Sequence, residues 1–245
     1  MPELSATAAL DLWERGAALG PVDRALVLAA AVDADARAPT ELAELPLGRR
    51  DARVLMLHSA LAGSAMDATA ACPACGEDAE FTVDAEVLLA QAALEPAAIE
   101  LDGFVVEWRP PDSRDVAAAA RAATAVDAEH TLLARCVSAA VGPGGDVPGG
   151  ELPTRLRDAL ACAIGEADPL AEVLVDVVCP SCETVFVADL DVAGFVWARL
   201  RAQAQQLLSD VDALARAYGW TEADVLSLGE RRRAAYLEIA GSAGG

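Results

Sequence analysis

Cys72-Pro73-Ala74-Cys75 and Cys179-Pro180-Ser181-Cys182 decide how this chain of 245 residues is read. Two cysteines at i and i+3 face one ion when the chain between them makes a tight turn. Pro73 and Pro180 restrict that turn, and Gly76 relieves crowding after the first pair while backbone amides point at the sulfurs. One such knuckle supplies two thiolates. Two knuckles complete a tetrahedron and leave no open coordination position, which is the ligand set of a structural zinc. The spacing therefore predicts one structural Zn2+ held by Cys72, Cys75, Cys179 and Cys182. Structural zinc contributes on the order of 10 kcal/mol in small domains, so metal binding and folding would be coupled. Iron suits the same thiolates, but nothing nearby points to electron transfer. A redox-active dithiol and two unrelated pairs of free thiols remain as alternatives. The redox reading needs the first cysteine at a helix N-terminus, whereas both pairs here run into strands.

Outward from the cysteines, the two surroundings match. Leu45-Pro46 precedes Cys72 by 27 residues and Leu152-Pro153 precedes Cys179 by 27, while Arg50-Asp51 and Arg157-Asp158 share the same offset of 107. Each copy runs from a helix through a connector to Cys-Pro-x-Cys, then to a strand with Phe81 or Phe186 and an acidic turn at Asp84 or Asp189. The register requires a slip of two residues after the cysteines. The expected fold is α+β and mainly helical: two related halves joined by a zinc-ribbon-like four-cysteine site, with a C-terminal helical extension. The expected division is 1–141 for the first half with its knuckle, 142–150 for a glycine-rich linker, 151–190 for the second half with its knuckle, and 191–245 for the C-terminal helices.

Local signals fill in these parts. An apolar stripe starts at Leu10 to Trp13, and Pro21 opens a helix running to Ala31. A helix spans Arg49 to Leu61 and stops at Gly63. Strands are expected at Glu80 to Val83 and at Phe104 to Arg109, the latter stopped by Pro110-Pro111. Val87 to Ala93 suits a helical turn or two. Asp115 opens a long alanine-rich helix through Val137, and Gly142 to Gly150 reads as a flexible linker. Val192 to Leu208 and Val211 to Tyr218 are helical with a weak break between them. Gly219-Trp220 turns the chain, Thr221 and Asp224 have capping-box spacing, and Glu230 begins a final helix.

Composition narrows the function. The formal charge is −21, and every one of the 18 basic residues is arginine. That balance repels phosphate backbones, so nucleic acid is not an expected partner. The hydrophobic content of 54% argues against an acidic disordered tail. The first residues carry no signal-peptide pattern, and no run approaches the roughly 18 apolar residues of a membrane span. A reducing, cytoplasmic location is expected, in which closely spaced cysteines bind metal rather than form disulfides. Cys136 and Cys162 stand alone in apolar stretches. His58 and His130 lie in helices without a nucleophile or metal spacing and read as ordinary helix-surface or core residues. Trp197, Tyr218 and Trp220 read first as packing residues and second as a partner patch. Arg231-Arg232-Arg233 reads as a solvated helix face, or else as a site for an acidic protein surface. No catalytic constellation stands out, and the expectation is a protein that is not an enzyme.

Several stretches taken in order resemble one family. They are Leu12-Trp13-Glu14-Arg15-Gly16, Asp23-Arg24-Ala25-Leu26, Leu45 through Asp51, both Cys-Pro-x-Cys pairs, Tyr218 through Glu222, Leu226-Ser227-Leu228 and Arg231-Arg232-Arg233. Together they resemble the zinc-binding baseplate-associated proteins of contractile phage tails and phage-tail-like injection systems. The resemblance covers nearly the whole chain, although only the cysteine pairs are specific one by one. It implies a structural or assembly protein that binds baseplate or tail proteins and that is incorporated into, or only helps build, the particle. It implies Cys72, Cys75, Cys179 and Cys182 as metal ligands and the region from Tyr218 to Tyr236 as a contact element. A dithiol oxidoreductase and a zinc-ribbon regulator associated with nucleic acid are the alternatives.

Overall fold

The computed structural model describes residues 4–32, 38–91, 95–96 and 98–242. In chain order these form α1 (Ala6–Ala17), α2 (Pro21–Ala30), α3 (Pro39–Ala43), α4 (Leu47–Ala62), β1 (Ala65–Ala71), β2 (Asp78–Asp84), α5 (Ala85–Leu89), β3 (Ile99–Leu101) and β4 (Phe104–Trp108). There follow α6 (Ser113–Ala119), α7 (Ala125–Cys136), β5 (Val137–Gly142), β6 (Gly145–Asp146), a 3-10 turn (Gly149–Glu151) and α8 (Thr154–Ala167). The chain closes with β7 (Leu174–Val178), β8 (Val185–Asp189), α9 (Val192–Tyr218), α10 (Glu222–Leu226) and α11 (Glu230–Ser242). The fold is mixed α+β and mainly helical. No helix of the described residues is long and apolar enough to cross a membrane.

The larger core is helical, and α9 is its spine. Val196, Trp197, Leu200, Ala204 and Leu207 recur at helical spacing on one face of α9 and pack with Leu10 and Leu12 of α1, Leu28 of α2, and Val54, Leu55 and Leu57 of α4. Asp191 caps α9 by accepting the Gly194 amide, and the helix continues unbroken for 27 residues to Gly219. The weak break expected near Leu208 is absent. Instead Asp210 accepts from Gln206 Nε2 at 2.8 Å one turn back and from Arg233 Nε of α11 at 2.9 Å, which fixes the helix where the sequence looked loose. The Trp197 ring lies against Gly16, where a methyl group would collide with it, and Arg24 stacks over that ring at 4.5 Å.

A second core lies between a four-stranded antiparallel meander, β3-β4-β5-β6, and the helices α7 and α8. Val106, Trp108 and Ala140 of the sheet meet Leu133 of α7 and Leu156, Leu160 and Ala167 of α8. Two sequence expectations change here. The single helix from Asp115 to Val137 is two helices, because each has its own cap. Asp112 accepts the Arg114 and Asp115 amides at the start of α6, and Thr124 accepts the Asp127 amide at the start of α7. Residues 142–150, expected as a linker, carry the β5–β6 hairpin and the 3-10 turn. Their glycines permit close approach: a methyl group on Gly142 would strike the Phe104 ring, and one on Gly149 would strike the Ala134 carbonyl.

The start of α4 ties the two cores together. The Gly48 amide donates to Asp168 Oδ2 at 2.9 Å, the Leu47 amide donates to the Pro111 carbonyl at 3.0 Å, and Arg114 pairs with Glu44 at 2.8 Å. Arg50 grips its neighbour Asp51 through two hydrogen bonds of 2.7 and 2.8 Å, and both side chains are buried.

Candidate metal centre

Each cysteine pair sits at the tip of a two-stranded antiparallel hairpin. In the first hairpin β1 and β2 pair from Ala65 with Asp84 to Ala71 with Asp78, and in the second β7 and β8 pair from Leu174 with Asp189 to Val178 with Val185. Alternation turns Ala79, Val177 and Ala188 inward, where Ala70, Phe81, Val175 and Phe186 join them in a third, small apolar cluster. The inner faces of the two hairpins therefore pack on each other and bring their tips together.

The two tips share one backbone plan. Cys72 N donates to Glu77 O at 2.8 Å and Gly76 N donates back to Cys72 O at 2.8 Å; Cys179 N donates to Thr184 O at 2.9 Å and Glu183 N to Cys179 O at 3.0 Å. The residue after the second cysteine is left-handed in both, with φ +80° at Gly76 and +58° at Glu183. Both return strands begin three residues past that cysteine, at Asp78 and Val185. The two knuckles thus have equal lengths, without the slip of two residues expected from the sequence. At the constant offset of 107, Ala79 is matched by Phe186 and Phe81 by Ala188, so each inner face carries a ring where the other carries a methyl group. Asp84 then corresponds to Asp191 rather than Asp189, and both cap the helix that follows the hairpin.

The four sulfurs converge. Cys72 Sγ lies 3.7 Å from Cys182 Sγ, Cys75 Sγ lies 3.6 Å from Cys179 Sγ, and all four lie within 4.8 Å of one another. A disulfide would need about 2.05 Å, and all four are free thiols. Ligands about 2.3 Å from a tetrahedral zinc stand about 3.8 Å apart, so the sulfur spacing fits that ion. Cys72 and Cys179 are buried while Cys75 and Cys182 are exposed, so each hairpin contributes one inner and one outer sulfur. Each close sulfur contact crosses from one hairpin to the other. An ion held here would join the hairpins rather than merely staple one turn.

Electrostatics point the same way. Hydrogen bonding with the Thr184 side chain and backbone, helped by Cys75 and Cys179, draws the Cys182 thiol down to about 6. The Glu77 backbone pulls Cys75 down as well, but the shared contacts with Cys182, Cys179 and Cys72, together with desolvation, outweigh it and push Cys75 up to about 12. Four touching thiols cannot all ionise beside one another, and a dication removes that conflict. The structure thus assembles a four-cysteine cluster able to coordinate a metal ion.

No family model matches the chain, and no curated protein or solved structure matches it either.

The other candidates fall outside this cluster. His58 is fully buried, with Nε2 3.1 Å from the Ala65 carbonyl and its ring edge-on to Phe195 at 5.6 Å. His130 is a surface residue of α7 with Nε2 2.8 Å from the Gly150 carbonyl. Tyr218, Trp220 and Tyr236 pack on one another with centroids 4.8 to 5.8 Å apart, which fastens α11 to the end of α9. Arg231 and Arg232 are exposed, but Arg233 is drawn inward by Asp210. Cys136 is buried and its thiol is pushed up to about 12 by desolvation and by Asp115.

One polar centre escaped the sequence reading. The fully buried side chain of Asp115 accepts from Arg109 at 2.7 Å, from Arg135 at 2.8 Å and from the Asp112 amide at 3.0 Å, which locks α6, α7 and the end of β4 together. Asp112-x-x-Asp115 directly after Pro110-Pro111 has capping-box spacing, and that signal places Asp115 inside the first turn of a helix.

Proposed function

We propose that Cys72, Cys75, Cys179 and Cys182 hold one structural Zn2+ and that the protein acts by binding other proteins rather than by catalysis. The observation that carries this is the crossing of both close sulfur contacts, 3.6 and 3.7 Å, between two different hairpins. Zinc supplies there a redox-inert charge that neutralises thiolates and closes the site. The two helix–hairpin units are read as a degenerate duplication. Support comes from the constant offset of 107, the shared knuckle backbone and the matched capping aspartates.

The resemblance to baseplate-associated zinc proteins makes a contractile tail or injection-system baseplate the proposed setting, with the protein made in the cytoplasm as a component or assembly factor. Native mass spectrometry with elemental analysis tests the metal: one zinc per chain is expected, lost in Cys179→Ser. A fully folded chain without zinc overturns the proposal. Co-purification with sheath, tube and baseplate proteins tests the setting, and their absence from the purified complex counts against it.

A second reading has one observation in its favour. Cys75 and Cys182 are free and exposed, one in each Cys-Pro-x-Cys pair, as an accessible dithiol requires. Insulin reduction and alkylation separate the two. A closed zinc site is inactive and protected, whereas an oxidoreductase turns over and is alkylated at its exposed thiols, Cys75 and Cys182.

A further inference from the structure

The two hairpins share a backbone, so each serves as a control for the other, and their outer faces differ. The first presents Asp67, Thr69, Ala71, Asp78, Glu80 and Thr82 to solvent. At the same positions, offset by 107, the second presents Leu174, Asp176, Val178, Val185, Val187 and Asp189. Asp67, Asp78 and Glu80 are thus matched by Leu174, Val185 and Val187. These aliphatic side chains are not hidden: Leu174 is 56% exposed, Val178 61%, Val185 64% and Val187 59%. Val178 and Val185 are direct cross-strand partners, Val187 lies two residues along β8 from Val185 and opposite Asp176, and Leu174 lies opposite Asp189, so the four share one face with two aspartates set among them. Strand propensity alone does not require them, because the first hairpin forms the same ladder with acids and threonine on that face. Four aliphatic side chains kept exposed on one small face of a strongly charged protein mark a contact site.

Charge says what covers it. Between residues 168 and 198 the chain carries Asp168, Glu172, Asp176, Glu183, Asp189 and Asp191 and no basic residue. Asp176 and Asp189 lie in this same face and Glu172 and Glu183 at its ends. A second copy would bring another acidic face, on a chain of net charge −21, against the first. We infer that the outer face of β7–β8 is a docking surface for a protein segment that presents aliphatic side chains bordered by lysine or arginine. This rests on the reading of the chain as a protein-binding module, and it moves the contact from the C-terminal aromatics to the metal-clipped hairpin.

The test uses the full zinc-loaded chain and two cyclised β-hairpin peptides, one with a valine face rimmed by lysine and its twin rimmed by glutamate. Methyl NMR should show saturable shifts of Leu174, Val178, Val185 and Val187 with the lysine peptide, weakened by salt, and none with the glutamate twin. The double variant Val185→Asp, Val187→Glu copies Asp78 and Glu80 and should weaken binding at least about tenfold. If that variant loses its fold, Val178→Ala, which copies Ala71, should weaken binding about threefold. Equal shifts on the face of β1–β2, equal binding of the glutamate twin, or unchanged affinity in the folded variants overturns the inference. So does a dimer, seen by analytical ultracentrifugation, that the double variant abolishes. Zinc is counted in the same samples, so a missing ion refutes the structural-zinc reading while a lost response of this face with zinc intact refutes the docking site alone.

Discussion

Replacing Glu183 by glycine should stabilise the protein, and the two knuckles supply the magnitude. Glu183 occupies the left-handed region at φ +58°, the place that Gly76 fills at +80° in the other knuckle. A residue with a Cβ gives up about 1–2 kcal/mol there. Glycine removes that strain but offers the unfolded chain about 0.5–1 kcal/mol more freedom to lose. The net gain is about 0.5–1 kcal/mol, or roughly 1–4 °C in Tm for a chain of this length. Glu183 is exposed beside the thiols, so its charge must be separated from its backbone. Glu183→Gln removes the charge and keeps the strain; Glu183→Asn removes the charge and tolerates the left-handed region. Thermal unfolding of the zinc-loaded variants should rank glycine first, asparagine next, and glutamine level with wild type. Gly76→Ala should do the reverse, losing about 0.5–1 kcal/mol although nothing lies within 4 Å of the added methyl. If Glu183→Gln stabilises as much as glycine, charge relief and not backbone strain is the cause, and the backbone comparison of the two knuckles is refuted.

Three further outcomes are expected. Asp115→Asn should cost about 2–3 kcal/mol by urea unfolding, less than a wholly buried ion pair, because water reaches the partly exposed Arg109 and Arg135. Burial pushes the Asp115 carboxyl up, but Arg109, the Asp112 amide and Arg135 hold it below its ordinary 3.8. Its contribution is therefore complete above that value and lost as pH falls through the lower folded one, a loss absent from Asp115→Asn. Burial holds His58 below its ordinary 6.5, with Arg199 acting in the same direction and the Ala65 hydrogen bond opposing. The unfolded chain then binds the proton first, so stability falls as pH drops below 6.5, and that slope should be shallower in His58→Leu by as much as about 1.4 kcal/mol per pH unit. Gly48→Ala should cost about 1–3 kcal/mol, because its methyl would collide with the Asp168 carboxylate that the Gly48 amide holds; an unchanged urea midpoint would refute that contact.

The knuckles were legible because their chemistry sits at fixed spacing, and the helices at Pro21 and at Leu47 because proline and glycine mark their ends. The strands β1 and β7 were not. β1 reads Ala-Met-Asp-Ala-Thr-Ala-Ala, and its buried alternation at Met66, Ala68 and Ala70 is carried mostly by alanine, a helix former that signals no strand. Pairing with β2 and the fixed knuckle impose the strand from outside. β3 left a usable signal in Asp102-Gly103: φ of +52° and +81° is a type I′ turn that closes Leu101 on Phe104. The interruption between α6 and α7 was hidden by alanines, which suit a helix whether or not one continues. The apparent slip after the cysteines came from matching Phe81 to Phe186 by type. A shift of two along a strand keeps the inward face, so the aromatic pattern alone could not fix the register of one hairpin on the other.

The cluster stands where the hydrophobic contribution is weakest. The helical core and the β4–β5 core each bury a set of leucines, valines and a tryptophan, whereas the hairpin cluster fully buries only Ala79, Val177 and Ala188. A two-stranded hairpin in water is marginal by itself; Met66 anchors the base of β1 in the helical core, but toward the tips the stacked pair gains little more from so few buried atoms. An ion held by the four sulfurs would compensate at that point, because both close sulfur contacts cross between hairpins. Stripping the metal should therefore separate the hairpins while the two helical cores hold, so hydrogen exchange after chelation should rise in β1, β2, β7 and β8 and hardly in α4 or α9. Uniform loss of protection would mean that the metal holds up the whole fold, and no change would mean that the three small residues suffice without it.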